Sequence, residues 1–361
     1  MKRKQCRLLA LILVLLIGIL SSCTIQNTIT EAVPSIPGTT PESSPSNKDA
    51  APLKAHFIDV GQGDCSFIQL ADGRSILIDG GNRADFPVIS NYLQGQKVKK
   101  IDYLIATHPH EDHIGALPAI IKNFEIGNIY MPKAMSNTKI FEELLSSIKT
   151  KGYSINTAAA GVVMIDEADV KLAFLAPNTA DYDELNNYSA VMKLTYKNTS
   201  FLFTGDAEDV SEKEMLIKNL DVKVDVLKVG HHGGRTSTTK EFLARVAPKA
   251  AVISAGKDND YGHPHKETLD KLNAEKVQIY RTDLQGSIIC SSDGSSIKID
   301  KMPIAAAENK DVRAAYIGNI NSKVFHLPSC SALPKPENKV KLSTRTDAQN
   351  AGYQPCQRCK P

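Results

Sequence analysis

The chain has no tryptophan, little net charge, and no apolar run long enough to cross a bilayer comfortably. The missing tryptophan excludes nothing. The formal charge of +3 over 361 residues is more informative once it is partitioned. Four basic residues (Lys2, Arg3, Lys4, Arg7) stand at the N-terminus, and from Lys310 onward nine Lys/Arg face three acidic residues. The tail is therefore near +6 and the middle of the chain near −7. The middle is not a basic nucleic-acid-binding surface, whereas the tail has the charge to be one. Histidine is also scarce, at nine residues, and all but His56 fall in the motifs described below.

The longest apolar run, Leu8 to Leu20, is shorter than the roughly 20 residues of a membrane span. It follows the basic cluster and ends in Leu20-Ser21-Ser22-Cys23, which looks like a bacterial lipobox. Residues 1–22 are read as a signal peptide and Cys23 as the lipidated N-terminus of the mature chain. The alternative is an uncleaved anchor or an ordinary signal peptide. The lipoprotein reading places the protein outside the cytoplasm, anchored to a membrane. Residues 23–53 are rich in Ser, Thr, Pro and Asn without apolar periodicity, so they cannot bury a core and form a tether.

The centre of the sequence is Thr107-His108-Pro109-His110-Glu111-Asp112-His113. It follows the apolar run Ile101 to Ala106, which reads as a buried strand, and precedes Ile114 to Ile121, which opens a helix. In an extended strand end, His108 and His110 point to the same side. The chain then turns, bringing Asp112 and His113 to a second point nearby. Imidazoles and a carboxylate in that pattern suit zinc, iron or manganese, with room for two ions. Phe201 to Asp206 is a second buried strand ending in a carboxylate, which is placed to bridge two cations. Alternatively, Asp206 caps the helix that follows it. Val224 to Val229 is a third such strand, ending in His231-His232-Gly233-Gly234. After the next strand, Ala250 to Ser254, comes Tyr261-Gly262-His263-Pro264. His265 reads as a surface residue at a helix start.

His-x-His-x-Asp-His after a strand resembles the signature of metallo-β-lactamase-fold hydrolases. The stretches His56 to Asp64, Ile76 to Gly81, Thr204-Gly205-Asp206, Val229 to Gly234 and Tyr261 to Pro264 narrow the resemblance to the hydrolase domain of ComEC-type competence proteins. It covers residues 54–300 and implies an α/β fold, the αββα sandwich. In that fold the loop after the later strand supplies the last metal ligand, which favours His263. The earlier loop supplies a ligand or proton donor, which favours His232. Their order stays open. The resemblance implies that His108, His110 and His263 hold one ion and that Asp112, His113 and His232 hold the other, with Asp206 bridging. Asp112, His231 and His232 are the catalytic candidates, either histidine protonating the leaving oxygen. Asp59, Asp64 and Asp79 could line or support the site. Many relatives carry a third histidine near Asn186-Asn187-Tyr188-Ser189; none stands here, as in the ComEC-like subgroup. Asn187 and Ser189 are thus read either as site residues or as simple turn formers.

Residues 301–312 read as a linker and 313–361 as a second, small domain. His326-x₃-Cys330 and Cys356-x₂-Cys359 form two ligand pairs of a structural zinc site, a staple for a segment too short to build a sufficient core. A Cys356–Cys359 disulfide is the alternative. The stretch resembles the zinc-binding domain of the Ada DNA-repair protein. His326 stands where that family has its methyl-accepting cysteine, so methyl transfer is not expected.

These readings converge on a membrane-tethered, metal-dependent hydrolase, most readily a phosphodiesterase acting on DNA. Zinc is the expected ion, with manganese second, and the tail carries one structural zinc and contacts DNA. Two alternatives stand beside it. One is hydrolysis of another ester, lactone or wall phosphodiester at the same site. The other is a catalytically weak lipoprotein that captures DNA.

Overall fold

Apolar residues alternate or run unbroken through short β-rich stretches, and each such stretch forms a strand. A computed structural model describes residues 52–257, 259–305, 316–328, 330–342, 345–359 and 361. Cys23, the expected signal peptide and nearly all of the expected tether lie outside the described residues. Among the described residues no helix is long and apolar enough to cross a membrane.

The first half contributes β1 (Leu53–Phe57), β2 (Ser66–Gln69), β3 (Ser75–Ile78), β4 (Lys100–Ile105), β5 (Glu125–Met131) and β6 (Ile155–Thr157). The second contributes β7 (Val163–Asp166), β8 (Val170–Phe174), β9 (Met192–Tyr196), β10 (Thr199–Phe203), β11 (Val226–Lys228), β12 (Ala250–Ile253) and β13 (Gln278–Arg281). The chain then returns to the first sheet through β14 (Ile288–Ser292) and β15 (Ile297–Ile299). The sheet orders are β15-β14-β1-β2-β3-β4-β5-β6 and β13-β12-β11-β10-β9-β8-β7. Strands β3 to β6 run parallel, as do β10 to β13.

Three apolar layers hold the sandwich. Between the sheets lie Phe57, Phe174, Phe201 and Phe203, with the Phe57 and Phe203 rings stacked at 5.9 Å. The outer face of the first sheet is covered by α1 (Phe86–Gly95), α2 (Glu111–Ile114), α3 (Leu117–Asn123) and α4 (Lys139–Thr150), whose Ile89, Leu117, Ile120 and Leu144 are buried. The second sheet is covered by α5 (Asp209–Ile217), α6 (Lys240–Val246) and α7 (Lys266–Ala274), through residues such as Met215, Phe242 and Leu269. Strands buried on both faces must be apolar on both, which is why Ile76 to Ile78 of β3 and the whole of β12 read as continuous runs. This is the αββα sandwich of the metallo-β-lactamase fold. Catalytic loops in such open parallel sheets gather at the carboxyl ends of the strands.

Beyond a short α8 (Thr282–Gln285), the C-terminal segment forms a four-stranded sheet ordered β18-β16-β17-β19, with β16 at Tyr316–Asn319, β17 at Val324–His326, β18 at Lys339–Leu342 and β19 at Gln354–Pro355. Helix α9 (Arg345–Asn350) packs on it. Its buried apolar core is Tyr316, Phe325, Ala348 and Tyr353. That is small for an independent unit.

Candidate metal centre

Four strand ends converge. After β3, Asp79 is buried and adopts a left-handed backbone (φ 60°). Its two carboxylate oxygens accept hydrogen bonds from the Thr107 amide at 2.8 Å, from Thr107 Oγ1 at 2.7 Å, and from His113 Nδ1 at 2.8 Å. Asp79 therefore fixes both the loop after β4 and the His113 ring. With Nδ1 donating to Asp79, His113 keeps its Nε2 lone pair for the site. Gly63 lets the neighbouring loop approach: a Cβ there would lie 2.6 Å from the Asp112 carbonyl oxygen.

After β11 the chain turns through two successive left-handed residues, His231 (φ 49°, ψ 47°) and His232 (φ 53°, ψ 22°). For residues other than glycine this backbone is strained. It is held by the His231 amide donating to the Gly205 carbonyl at 3.1 Å and by the Gly234 amide returning to the His231 carbonyl at 2.6 Å. The turn sends the two imidazoles in different directions. His232 is buried, with Nδ1 3.1 Å from the Ser254 carbonyl, while its Nε2 lies 3.2 Å from Asp112 Oδ2 and 3.4 Å from Asp206 Oδ2. His231 stays at the mouth. Its Nδ1 is 3.1 Å from Glu208 Oε1 and 3.0 Å from Thr236 Oγ1, and its Nε2 is 4.0 Å from Asp206 Oδ2.

Asp112, His113, Asp206 and His232 bring one donor atom each to within 4.8 Å of one another. Two observations test whether a cation fits. His113 Nε2 lies 3.2 Å from Asp206 Oδ2 without the alignment of a hydrogen bond. Asp206 Oδ1 is likewise buried and unpartnered. Imidazole nitrogens whose other ring position already donates face carboxylate oxygens, acceptor against acceptor, around a common point. A cation fits that donor set. Without one, protons take its part. Burial opposes charge on His113 and His232, but Asp206 and the other carboxylates outweigh it and hold both well above the ordinary histidine value. Burial likewise opposes charge on Asp206 and Asp112, and the histidines, His113 foremost, hold both below the usual carboxylate range.

The His108/His110 pair stands beside this group. His108 Nε2 is 3.0 Å from His110 Nδ1 and 3.9 Å from Asp206 Oδ2. Its Nδ1 contacts Thr107 Oγ1 at 3.1 Å and Ser189 Oγ at 3.3 Å. Burial and the neighbouring His113 hold His108 well below its ordinary value, so it is neutral. Ser189 Oγ also accepts the Asp206 amide at 3.0 Å, tying the bridging candidate to His108 where no third histidine stands.

The other residues singled out in the sequence fall in different places. Asp64 forms a buried ion pair with Lys228 at 2.7 Å, and its Oδ1 lies 3.4 Å from His232 Nδ1. Burial would raise the Asp64 pKa, but the Lys228 ammonium together with His232 and His113 outweighs it and holds it at about 2. Asp59 is a turn residue accepting the Gly61 amide at 3.1 Å. Asn187 Oδ1 accepts the Glu208 and Ser211 amides at 3.3 and 3.1 Å, and so caps the start of α5 rather than facing the donor group. His263 lies apart from the four-residue group. Its ring is stacked 6.0 Å from His232, with Nδ1 3.5 Å from Gln62 Nε2, and burial together with His265 holds it well below the ordinary value. His265, expected on the surface, is buried because its Nδ1 accepts the Arg235 amide at 3.1 Å.

Sequence reasoning missed Lys228 and Glu208. Lys228 had a signal: a lysine inside an otherwise apolar strand needs a buried anion. Glu208 had only its position two residues after Asp206.

In the C-terminal segment, His326, Cys330, Cys356 and Cys359 bring their ligand atoms within 4.8 Å of one another. All three cysteines are free, with Cys330 Sγ and Cys356 Sγ 4.0 Å apart. His326 Nδ1 is buried and unpartnered. Three thiols and an imidazole nitrogen with nothing else to bond fit one tetrahedral zinc. Cys65, by contrast, is buried in the sandwich as a small apolar residue.

The chain belongs to the metallo-beta-lactamase superfamily, whose family profile matches residues 58–257. Residues 304–361 match the metal binding domain of Ada. Its curated relatives include competence proteins of the ComEC type. ComE operon protein 3 of Bacillus subtilis is 33% identical over 249 residues, covering 64% of this chain and 32% of the relative. Recombination protein 2 of Haemophilus influenzae is 29% identical, covering 64% and 28%. The chain thus spans about a third of the length of these relatives. Among solved structures, the metallo-beta-lactamase fold protein YhfI from Bacillus subtilis is 14% identical with a TM-score of 0.43, covering 63% of this chain and 96% of that one.

Proposed function

We propose that this metal-dependent hydrolase cleaves phosphodiesters, with DNA as its substrate. The observation that carries the reading is the anionic, half-open donor group of Asp112, His113, Asp206 and His232, flanked by His108 and His110. Asp112, His113 and His232 would hold one ion, His108 and His110 a second, and Asp206 would be shared. Cations in such a set lower the pKa of water and offset charge growing on a phosphoryl group. The protein's own residues do the rest. Asp79, Thr107 and Ser189 keep the imidazoles in the tautomer that leaves Nε2 available. His231 stands at the mouth with a proton to give: burial opposes its charge, but Asp206 and Glu208 raise its pKa. It is placed to protonate a leaving oxygen.

The C-terminal segment supports DNA as the substrate. Lys339 and Lys341 alternate outward along β18, with Lys323, Lys335 and Arg358 also exposed. Such a basic module raises the local concentration of a polyanion that the acidic hydrolase would repel. The N-terminal reading, with Cys23 acylated and the enzyme held outside the cytoplasm at a membrane, belongs to the same proposal. Mass spectrometry of residue 23 in the mature protein checks it.

The test is turnover of DNA, RNA, a small phosphodiester and a lactone with added zinc or manganese. Cleavage of DNA and the small diester supports the reading. Cleavage of the lactone alone moves the function to another ester, and no turnover of any substrate leaves a DNA-capture role.

A further inference from the structure

The segment from Asn259 to His263 is tied to itself and to Gly256 by one side chain. Asn259 Nδ2 donates to the Gly256 and His263 carbonyls at 2.8 and 2.6 Å, and its Oδ1 accepts the Tyr261 and His263 amides at 3.2 and 3.0 Å. A loop tied this way has little freedom to fold its side chains inward. Tyr261 is accordingly 60% exposed, an aromatic ring held in solvent at the rim of the site. Its inner face lies against His263, with ring centroids 5.7 Å apart and planes 23° apart. His263 lies in turn against His232 at 6.0 Å and 26°. Three nearly parallel rings thus lead from solvent to the donor group. The middle one, His263, stands outside that group.

We propose that Tyr261 is a stacking platform for a base of a single-stranded nucleic acid, seating it while a nearby phosphate of the same strand lies at the metal centre. The proposal rests on the phosphodiesterase reading for its substrate. The platform itself rests on the ring column and the Asn259 clamp. An exposed aromatic face beside a site for anions is how sequence-tolerant single-strand binding is built, because every base offers a π-face. A duplex keeps its bases stacked on each other and cannot use the platform without unpairing. The C-terminal module lies on the same side. Arg235, whose amide bonds His265 beside His263, donates from Nη1 to Tyr316 at the first described strand of that module, at 2.5 Å. A strand held by the basic module is therefore delivered next to the loop that carries Tyr261.

Because the chain has no tryptophan, Tyr261→Trp places a single indole at the platform. The full chain carrying it together with Asp206→Asn, which suppresses hydrolysis and spares the zinc of the C-terminal module, is titrated with oligothymidylate and with an abasic oligomer of equal length. Quenching by oligothymidylate and none by the abasic strand is expected; equal responses overturn the platform. In the metal-loaded enzyme, Tyr261→Ala should raise the KM for oligothymidylate about tenfold with little change in kcat. Tyr261→Phe should restore it, and the difference between wild type and Tyr261→Ala should vanish on the abasic strand. Cleavage of oligothymidylate with the same KM by wild type and Tyr261→Ala removes the platform and leaves the phosphodiesterase reading intact. Base-dependent quenching without cleavage of any strand removes that reading and leaves the platform.

Discussion

The hydrolase centre gathers its donors from strand ends far apart in the chain, whereas the C-terminal site takes all four from two local pairs. Asp112, His113, Asp206 and His232 are held by a sandwich with three apolar layers. His326, Cys330, Cys356 and Cys359 are held by a core of four buried apolar residues. In the first case a large fold positions an ion; in the second an ion positions a small fold. The ligand chemistry follows. A structural site is closed by thiolates, while a hydrolytic one mixes carboxylates and imidazoles and keeps room for substrate. The electrostatics differ as well. The hydrolase centre has the buried Lys228–Asp64 pair beside it, with Asp64 Oδ1 3.4 Å from His232 Nδ1.

The sharpest way to break this contrast is zinc removal. Cys356→Ser, or a strong chelator, should abolish slow amide exchange over residues 316–359 while the strands of the sandwich keep theirs. Hydrogen-exchange mass spectrometry reads both regions at once, and a C-terminal segment that stays protected without metal would end the distinction. Asp206→Asn should come next. It should lower hydrolysis by on the order of 100-fold or more, since a shared anionic ligand is lost, while the melting temperature changes little. Metal content measured with turnover separates loss of the ion from loss of its chemistry.

Lys228→Met tests that pair. It leaves the Asp64 carboxylate buried and unpaired, at a cost of about 3–5 kcal/mol of stability, and Asp64→Asn added to it should recover part of this. Chemical denaturation of the two variants checks the order, and equal midpoints would place the pair outside the stability of the fold. The smallest effect belongs to His56, buried between Tyr92 (2.9 Å) and Gln69 (3.1 Å) and far from either ligand set in sequence. Burial lowers its pKa from 6.5 to about 4, with Gln69 opposing. The unfolded chain takes this proton near pH 6.5 and the folded one only near pH 4. His56 therefore adds stability above pH 6.5 that erodes as pH falls through that window, by up to about 3 kcal/mol. Replacing His56 with Gln should flatten the stability profile between these two pH values; an unchanged slope would assign it to other groups.

Much of the fold was legible because strands buried on both faces read as unbroken apolar runs, and because helices such as Lys139–Thr150 carry apolar residues at helical spacing. The site was legible to the level of strand ends. What the sequence did not contain is which way a side chain points once the backbone turns left-handed. His231 and His232 are neighbours, yet two positive φ angles send one to the mouth and the other into the donor group. The same turn explains why His232, rather than His263, faces Asp112 and Asp206. Asn187 could not be separated from a site residue by sequence, since a side chain that caps a helix and one that binds a substrate use the same amide. The Lys228–Asp64 pair joins β11 of one sheet to the loop before β2 of the other, and its partner choice is set by the closing of the sandwich rather than by any local pattern.

The Arg235–Tyr316 contact has a thermodynamic consequence. Tyr316 is part of the buried core that the C-terminal zinc staples, and Arg235 follows the turn that carries His232. Whatever free energy the order of one side lends to the other is a coupling energy, and such couplings are reciprocal. If zinc in the small domain steadies the turn, then an ion in the hydrolase centre must tighten zinc in the small domain by the same factor. The two metal affinities of this chain are then not independent constants. Zinc titrations of wild type and Arg235→Ala, with the hydrolase centre filled and empty, measure that factor directly.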